Sequence, residues 1–411
     1  MRLSPAQLFE FAERLRSGGR VEDAERAYRA LATNPDKDIR SEARFRLARM
    51  LAAHDRSSEA AILLRQILDE RPDAQKVRIE LATLLAQMGH VAAAQKELRA
   101  AQAGRLPSDV ARLVDRFSGA LRARSPHGVS VTFAVAPDTN INRGTQLDRL
   151  GTVLGDFIID REAKRRSGVG LQIDAEAFVR RRVNDHINLL VKGVAAARLY
   201  ARPGFNDISI APSIGPEIAL GSDRLNVAAA ASRRWFGGHP YADAVGLEAN
   251  YEHPLAATAV LRAAGAAYRV DNRVNNLEDG TQLSLSGGGE FAISPRAGIG
   301  LNTTIIRRAL RDAGYSNRAL YPTLYGWRKA GRATLSASVT IGWLRADDRL
   351  LIYPTKRRDH YVRIAIGGVL RHLMIGGFAP SFQFIVEQNR STVAIYDYRR
   401  RAAEFGLSHV F

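Results

Sequence analysis

The residues of this chain that could do chemistry are few and scattered. Cysteine is absent from all 411 residues, which removes thiolate nucleophiles, thiolate metal sites and disulfides. There is no phosphate-cradling Gly-x-x-x-x-Gly-Lys loop, no His-Glu-x-x-His and no Gly-x-Ser-x-Gly, so the spacings used by nucleotide sites, zinc hydrolases and serine hydrolases are missing. The nine histidines run from His54 to His409 with no pair at the i, i+4 spacing that puts two ligands on one helix face. Gly168-Val169-Gly170 and Gly298-Ile299-Gly300 carry only half of a dinucleotide fingerprint. Both lie in alternating segments, where glycine eases packing or curvature. The sequence predicts no enzyme: no catalytic residue, no metal and no cofactor.

One segment stands apart: Ala136-Pro137-Asp138-Thr139-Asn140-Ile141-Asn142-Arg143. Asp and Asn at alternate positions can hydrogen-bond their own backbone and fix an irregular turn. The segment opens a connection of about thirty residues, far longer than a usual loop. Pro137, Asp138, Asn140 and Asn142 are therefore candidates for a loop that folds inward as a plug. The alternative is a mobile outer loop.

The elements around that segment alternate with period two. Leu335, Ala337, Val339, Ile341 and Trp343 interleave with Thr334, Ser336, Ser338, Thr340 and Gly342. Phe382, Phe384 and Val386 interleave with Ser381, Gln383 and Glu387. Such strands have one apolar and one polar face. About fourteen such segments begin near Val129, Gly168, Ile187, Ile208, Leu225, Ala244, Ala259, Gln282, Ala297, Tyr321, Ala333, Tyr361, Pro380 and Ala402. Most look about 9–12 residues long, enough for a tilted strand to cross a bilayer. Connections after even-numbered segments are short, as at Gly221–Arg224 and Ser294–Arg296. Those after odd-numbered segments are longer, as at Arg269–Thr281 and Asn389–Arg401. Short turns on one side and long loops on the other characterise an outer-membrane barrel. The glycine run Gly287–Gly289 predicts a kink. Tyr200, Trp235, Tyr251, Tyr268, Tyr325, Trp327, Trp343 and Tyr361 are expected in interfacial girdles, and Arg262, Arg328 and Arg363 in the lumen. Arg180–Arg182 and Arg399–Arg401 are expected at strand ends, near lipid phosphates. Phe405, Leu407 and the terminal Phe411 share one face of the last strand, an aromatic-ended pattern that resembles a barrel-assembly signal.

Residues 1–124 are different. They are rich in Ala, Leu, Arg and Glu, and three segments fall in register on Ala24, Ala60 and Ala94. That spacing is the tetratricopeptide (TPR) period. Small alanines let paired helices approach closely, and Gly19 and Gly89 suit turns of positive φ. Pro35, Pro72 and Pro107 punctuate the exits. The fold class expected is thus two-domain α + β: helical TPR-like repeats over 1–124, hanging in the periplasm, and a transmembrane antiparallel β-barrel of about fourteen strands over 125–411.

The formal charge of +18 alone would suggest nucleic acid or an anionic membrane surface. Alternation argues for a lumen and strand ends lined with Arg, and no nucleic-acid partner is expected. No stretch is apolar for the roughly 18–20 residues of a membrane-spanning helix. Met1-Arg2-Leu3-Ser4-Pro5 leads straight into an amphipathic helix, so an exported chain would have this start only after processing or truncation.

The segment Ala136–Arg143 closely resembles the A-P-D-[ST]-N-I-N-R element of the surface lipoprotein assembly modulator (Slam) family. Arg357-Arg358-Asp359-His360-Tyr361 and the run from Glu387-Gln388-Asn389-Arg390-Ser391 through Tyr396-Asp397-Tyr398-Arg399 to Phe411 resemble that family's C-terminal pattern. The resemblance implies an N-terminal TPR domain on a fourteen-stranded outer-membrane barrel, acting in type XI secretion. It implies export or surface display of a lipoprotein or a soluble haemophore-like binding protein. The partners expected are that cargo, outer-membrane lipid, the barrel-assembly machinery and a periplasmic chaperone. The alternatives are an exopolysaccharide export porin and a passive porin.

Overall fold

The structure, a computed structural model, describes residues 4–88, 90–102, 127–160, 163–256, 258–331, 333–370, 373 and 378–409. Pro107, Phe411, Gly89 and the expected boundary near Ser125 lie outside the described residues.

Six helices come first: α1 (Pro5–Ser17), α2 (Val21–Leu31), α3 (Lys37–Ala52), α4 (Ser57–Glu70), α5 (Gln75–Gln87) and α6 (Val91–Gln102). Short turns fold each back on its predecessor. Ser4 caps α1 and exchanges hydrogen bonds with Gln7, and Asp36 caps α3. Ala24, Ala60 and Ala94 are all fully buried. At these positions one helix of a pair presses on the next, and any larger side chain would hold them apart. Leu47, Leu51, Leu64, Leu81 and Leu85 fill the core between. Gly19 takes φ 78° in the first turn, as its position in the repeat implied. Most charge stays at the surface and ties successive pairs: Arg56 reaches Glu25 at 2.6 Å, and Arg40 and Arg44 both hold Glu70 at 2.8 Å. No helix among the described residues is long and apolar enough to cross a membrane.

The remainder is a closed antiparallel barrel. Its strands are β1 (His127–Asp138), β4 (Gly168–Arg182), β5 (Ile187–Tyr200), β6 (Asp207–Leu220), β7 (Asp223–Phe236), β8 (His239–Ala256), β9 (Ala259–Asn272), β10 (Gly280–Ser294), β11 (Ala297–Leu310), β12 (Asn317–Ala330), β13 (Ala333–Arg349), β14 (Lys356–Leu370), β15 (Phe378–Ser391) and β16 (Tyr398–His409). Each pairs with its sequence neighbours, and β1 closes on β16. A small hairpin, β2 (Arg149–Thr152) with β3 (Gly155–Ile158), sits in the long connection after β1. Fourteen strands make the wall, so its two ends, His127 and His409, lie at the same mouth.

Four expectations need correction. Strands are longer than a bilayer crossing requires, reaching 18 residues in β8. Ladder pairing continues past the apolar belt, so the long loops shrink; the turn joining β7 to β8 is only Gly237-Gly238, both at positive φ (59° and 84°), a hairpin geometry open to glycine. The run Gly287–Gly289 makes no kink. Pairing with β9 and β11 is unbroken there, and the irregularity falls at Ala292/Ser294. Gly288 is instead a close approach, since a Cβ would lie 2.2 Å from the Leu301 carbonyl oxygen. Finally, most of the expected girdle aromatics face inward. Trp327 covers Gly298, Tyr325 covers Gly300, and Tyr200 covers Gly170; Tyr268 donates to Glu248, and Tyr361 shares the lumen face with Arg363. Trp343 and Tyr251 are exposed on the outside with the aliphatic belt. The lumen face of β12 runs through odd positions, so Arg328 points outward, whereas Arg262 does face the lumen, between Glu252 and Glu290.

Candidate functional site

The outer wall is a belt of exposed aliphatic and aromatic side chains, among them Phe133, Val135, Val245, Leu247, Leu285 and Phe384. Water would not tolerate so much continuous apolar surface, while lipid hydrocarbon does. Phe405 (50% exposed) and Leu407 (44%) lie on this outer face of β16. They sit beside β1, paired with Val135 and Phe133 across the closing seam.

Pro137 and Asp138 end β1 at the mouth opposite the chain ends, where most loops are long. Asp138 turns inward and is almost fully buried. Its Oδ1 accepts from the Asn140 amide at 2.8 Å, and its Oδ2 accepts from Arg400 Nε at 2.7 Å. Asn140 is completely buried. Its Nδ2 donates to the carbonyls of Gly144 (2.9 Å) and Arg399 (3.0 Å), and its Oδ1 accepts from the Gly144 amide. Asn142 spans the two ends of the connection: Nδ2 donates to the Lys164 carbonyl and Oδ1 accepts from the Arg166 amide. The alternating Asp/Asn pattern thus folds the loop on itself and stitches it to β16.

Sequence reasoning missed the partner of this stitching. Glu387, on the lumen face of β15, is 2% exposed. It accepts from Arg143 at 2.9 Å, Arg400 at 3.1 Å and Tyr398 at 2.5 Å. The ladder Asp138–Arg400–Glu387–Arg143 therefore runs from the barrel wall into the loop. Glu387 was legible as a charge on the polar face of a strand, but its partners are 11, 13 and 244 residues away. Arg400, expected near lipid headgroups, is buried in this ladder instead. The β2–β3 hairpin extends the loop across the mouth, where the Val153 amide donates to the Ile352 carbonyl between β13 and β14. Between the loop and the wall of β5–β8 lies a cavity of about 300 Å³ lined by arginine, aspartate and aromatic side chains.

The other mouth meets the helices. Glu97 of α6 accepts from Arg78 at 2.7 Å and from Lys329 of β12 at 2.6 Å. Lys96 lies 4.2 Å over the ring of Trp327 on the lumen face. Burial works to raise the Glu97 carboxyl, but the Lys329 ammonium and Arg78 guanidinium override it and hold it down to about 2.

A closed barrel with an apolar exterior, a charged lumen and a loop anchored inside one mouth is an outer-membrane β-barrel. The chain belongs to the surface lipoprotein assembly modifier family, whose model matches residues 128–411. Among solved structures it is similar to a loop-deleted OmpT of Vibrio cholerae (11% identity, TM-score 0.37, covering 69% of this chain and 99% of that one). It is also similar to the outer-membrane channel DcaP of Acinetobacter baumannii (10%, TM-score 0.41, 69% and 96%). A third is the toluene transporter TodX of Pseudomonas putida (11%, TM-score 0.38, 71% and 92%). Comparison with curated proteins gives no match.

Proposed function

We propose that this chain is an outer-membrane translocator that brings a partner protein, a lipoprotein or a soluble haemophore-like protein, to the cell surface in the manner of type XI secretion. The supporting observation is the helical array at the mouth that carries both barrel ends, joined to it through Glu97–Lys329, in a chain of the lipoprotein-assembly family. Barrels of this class place short turns and chain ends on the periplasmic side. The array, read as TPR-like repeats over about residues 1–124, then stands where cargo arrives, alone or with a periplasmic chaperone. Repeat arrays of this kind offer a concave face to peptides. Pro137, Asp138, Asn140 and Asn142 set the base of a plug that must shift for cargo to pass. Phe405, Leu407 and Phe411 serve barrel assembly and not transport. No chemical step is assigned to the chain.

The test compares cells making the full chain with cells making only residues from His127 onward, at matched levels of folded barrel. Surface proteolysis of intact cells, read by mass spectrometry, reports which lipoproteins are displayed. Display should fall when the helices are removed. Equal display would reduce them to a spacer, and equal display in control cells that make neither form would leave a passive porin.

A further inference from the structure

We propose that the lumen carries a binding site for a small planar organic anion, an aromatic carboxylate or phosphate, centred on Arg198. This goes beyond the export function and does not depend on it.

The site is the cavity of about 300 Å³ between the anchored loop and the wall, at the small end of ligand pockets, which run about 300–1,000 Å³. Four arginines line it, and three are already matched. Arg234 is held bidentately by Asp207, both bonds 2.8 Å. Arg400 is held by Asp138 and Arg143 by Glu387. Arg198, at the loop end of β5, has neither an ion pair nor a hydrogen bond among the described residues and is exposed to the lumen. A guanidinium fork of this kind fits a carboxylate or phosphate through two parallel bonds.

The opposite wall selects shape. Phe236 and Tyr241 meet edge to face, with centroids 6.1 Å apart, and Tyr200 lines the same cavity. Arg234 lies 4.6 Å over the Tyr241 ring, which fixes that ring in place. An anion bound to Arg198 would set a planar body against these rings. Asn142 and Arg143 belong to the loop, while Arg198 and Tyr200 belong to the wall. The ligand would therefore bridge loop and barrel.

The experiment is titration calorimetry on the full chain in zwitterionic detergent, with benzoate, phenyl phosphate and inorganic phosphate as separate probes. Benzoate or phenyl phosphate should bind saturably, one per chain. Binding should weaken by roughly tenfold or more in Arg198→Gln, less in Arg198→Lys, and not in Arg181→Gln on the outer face. Heat-modifiable gel migration checks that each variant is folded. Absence of saturable binding, or equal binding by Arg198→Gln, would overturn the site. Equal affinity for inorganic phosphate would remove the role of the aromatic wall. A glutamate-bearing peptide that displaces benzoate and binds more tightly than either aromatic probe would replace the small ligand with a polypeptide. Cargo display in cells is a separate readout, so failure here leaves the export proposal standing.

Discussion

The helical array and the barrel are built on opposite plans. In the array leucine and alanine lie inside and most arginine and glutamate outside, with Arg65, Arg78 and Glu97 the buried exceptions among the described residues; Leu47, Leu64 and Leu81 are nearly inaccessible, while the Arg20, Arg26 and Arg29 side chains remain largely exposed. In the barrel most aliphatic side chains face outward, and at the loop mouth the charged and polar side chains Asp138, Asn140, Glu387 and Arg400 are all buried. Charge is thus mostly peripheral in one region and internal in the other. The wall is held by its continuous backbone ladder, which leaves the lumen side chains free to hold a loop.

The largest effect should come from removing charge where it is internal. Arg400→Ala takes the shared cation from two buried carboxylates, Asp138 and Glu387. Breaking a buried ionic partnership costs about 3–5 kcal/mol. The cost should fall on the anchored loop, because the ladder of β16 with β15 does not depend on that side chain. Limited trypsin cleavage within residues 139–167 should accelerate, with heat-modifiable migration of the barrel retained. Loss of the folded barrel would show that lumen charge holds the wall as well.

Removing apolar bulk from the array should rank next. Leu64 is 1% exposed at the centre of the helical core, and Leu64→Ala should cost about 2–5 kcal/mol. Circular dichroism melting should lower the helical transition and leave the β transition in place. A coupled loss of both would mean that the two regions fold as one unit.

The contrast is sharpest within a single strand. Leu285 faces out at 59% exposure, and Ser286, next in sequence, faces the lumen. Leu285→Arg should destabilise the barrel by about 2–4 kcal/mol, whereas Ser286→Arg should be nearly neutral. Urea unfolding in lipid vesicles measures both. Equal costs would reverse the assignment of faces.

This face assignment was legible because period-two alternation is local. Leu283, Leu285, Phe291 and Ile293 name the outer face without any knowledge of neighbouring strands, and all fourteen segment starts fall on or within five residues of the observed barrel strands. The alanines of the repeat were legible for the same reason. What stayed hidden depends on partners far along the chain. The Asp/Asn segment announced an irregular turn, yet nothing near it names Arg400 or Glu387. Aromatic residues near strand ends suggested girdles, but Trp327 and Tyr325 face glycines on β11, a pairing set by register across strands. The β2–β3 hairpin lacks alternation strong enough to separate it from loop.

The smallest effect concerns the junction of the two regions, where Glu97 of the array pairs with Lys329 of the barrel. Glu97 has its carboxyl lowered from 4.5 to about 2 by Lys329 and Arg78. A depressed carboxyl contributes stability fully above its ordinary value of 4.5 and loses it as pH falls through about 2. The junction should therefore be indifferent to pH from neutrality down to about 4.5 and loosen only below. The chain has no cysteine, so spin labels on Arg26→Cys and Arg328→Cys report the helix-to-barrel distance without background. The distance distribution should stay narrow until the acidic window and then broaden. In Glu97→Gln, which leaves Arg78 and Lys329 without their shared carboxylate, it should be broad at neutral pH already. A distribution that broadens near neutrality in the unsubstituted chain would mean that a group other than Glu97 governs the docking of the array.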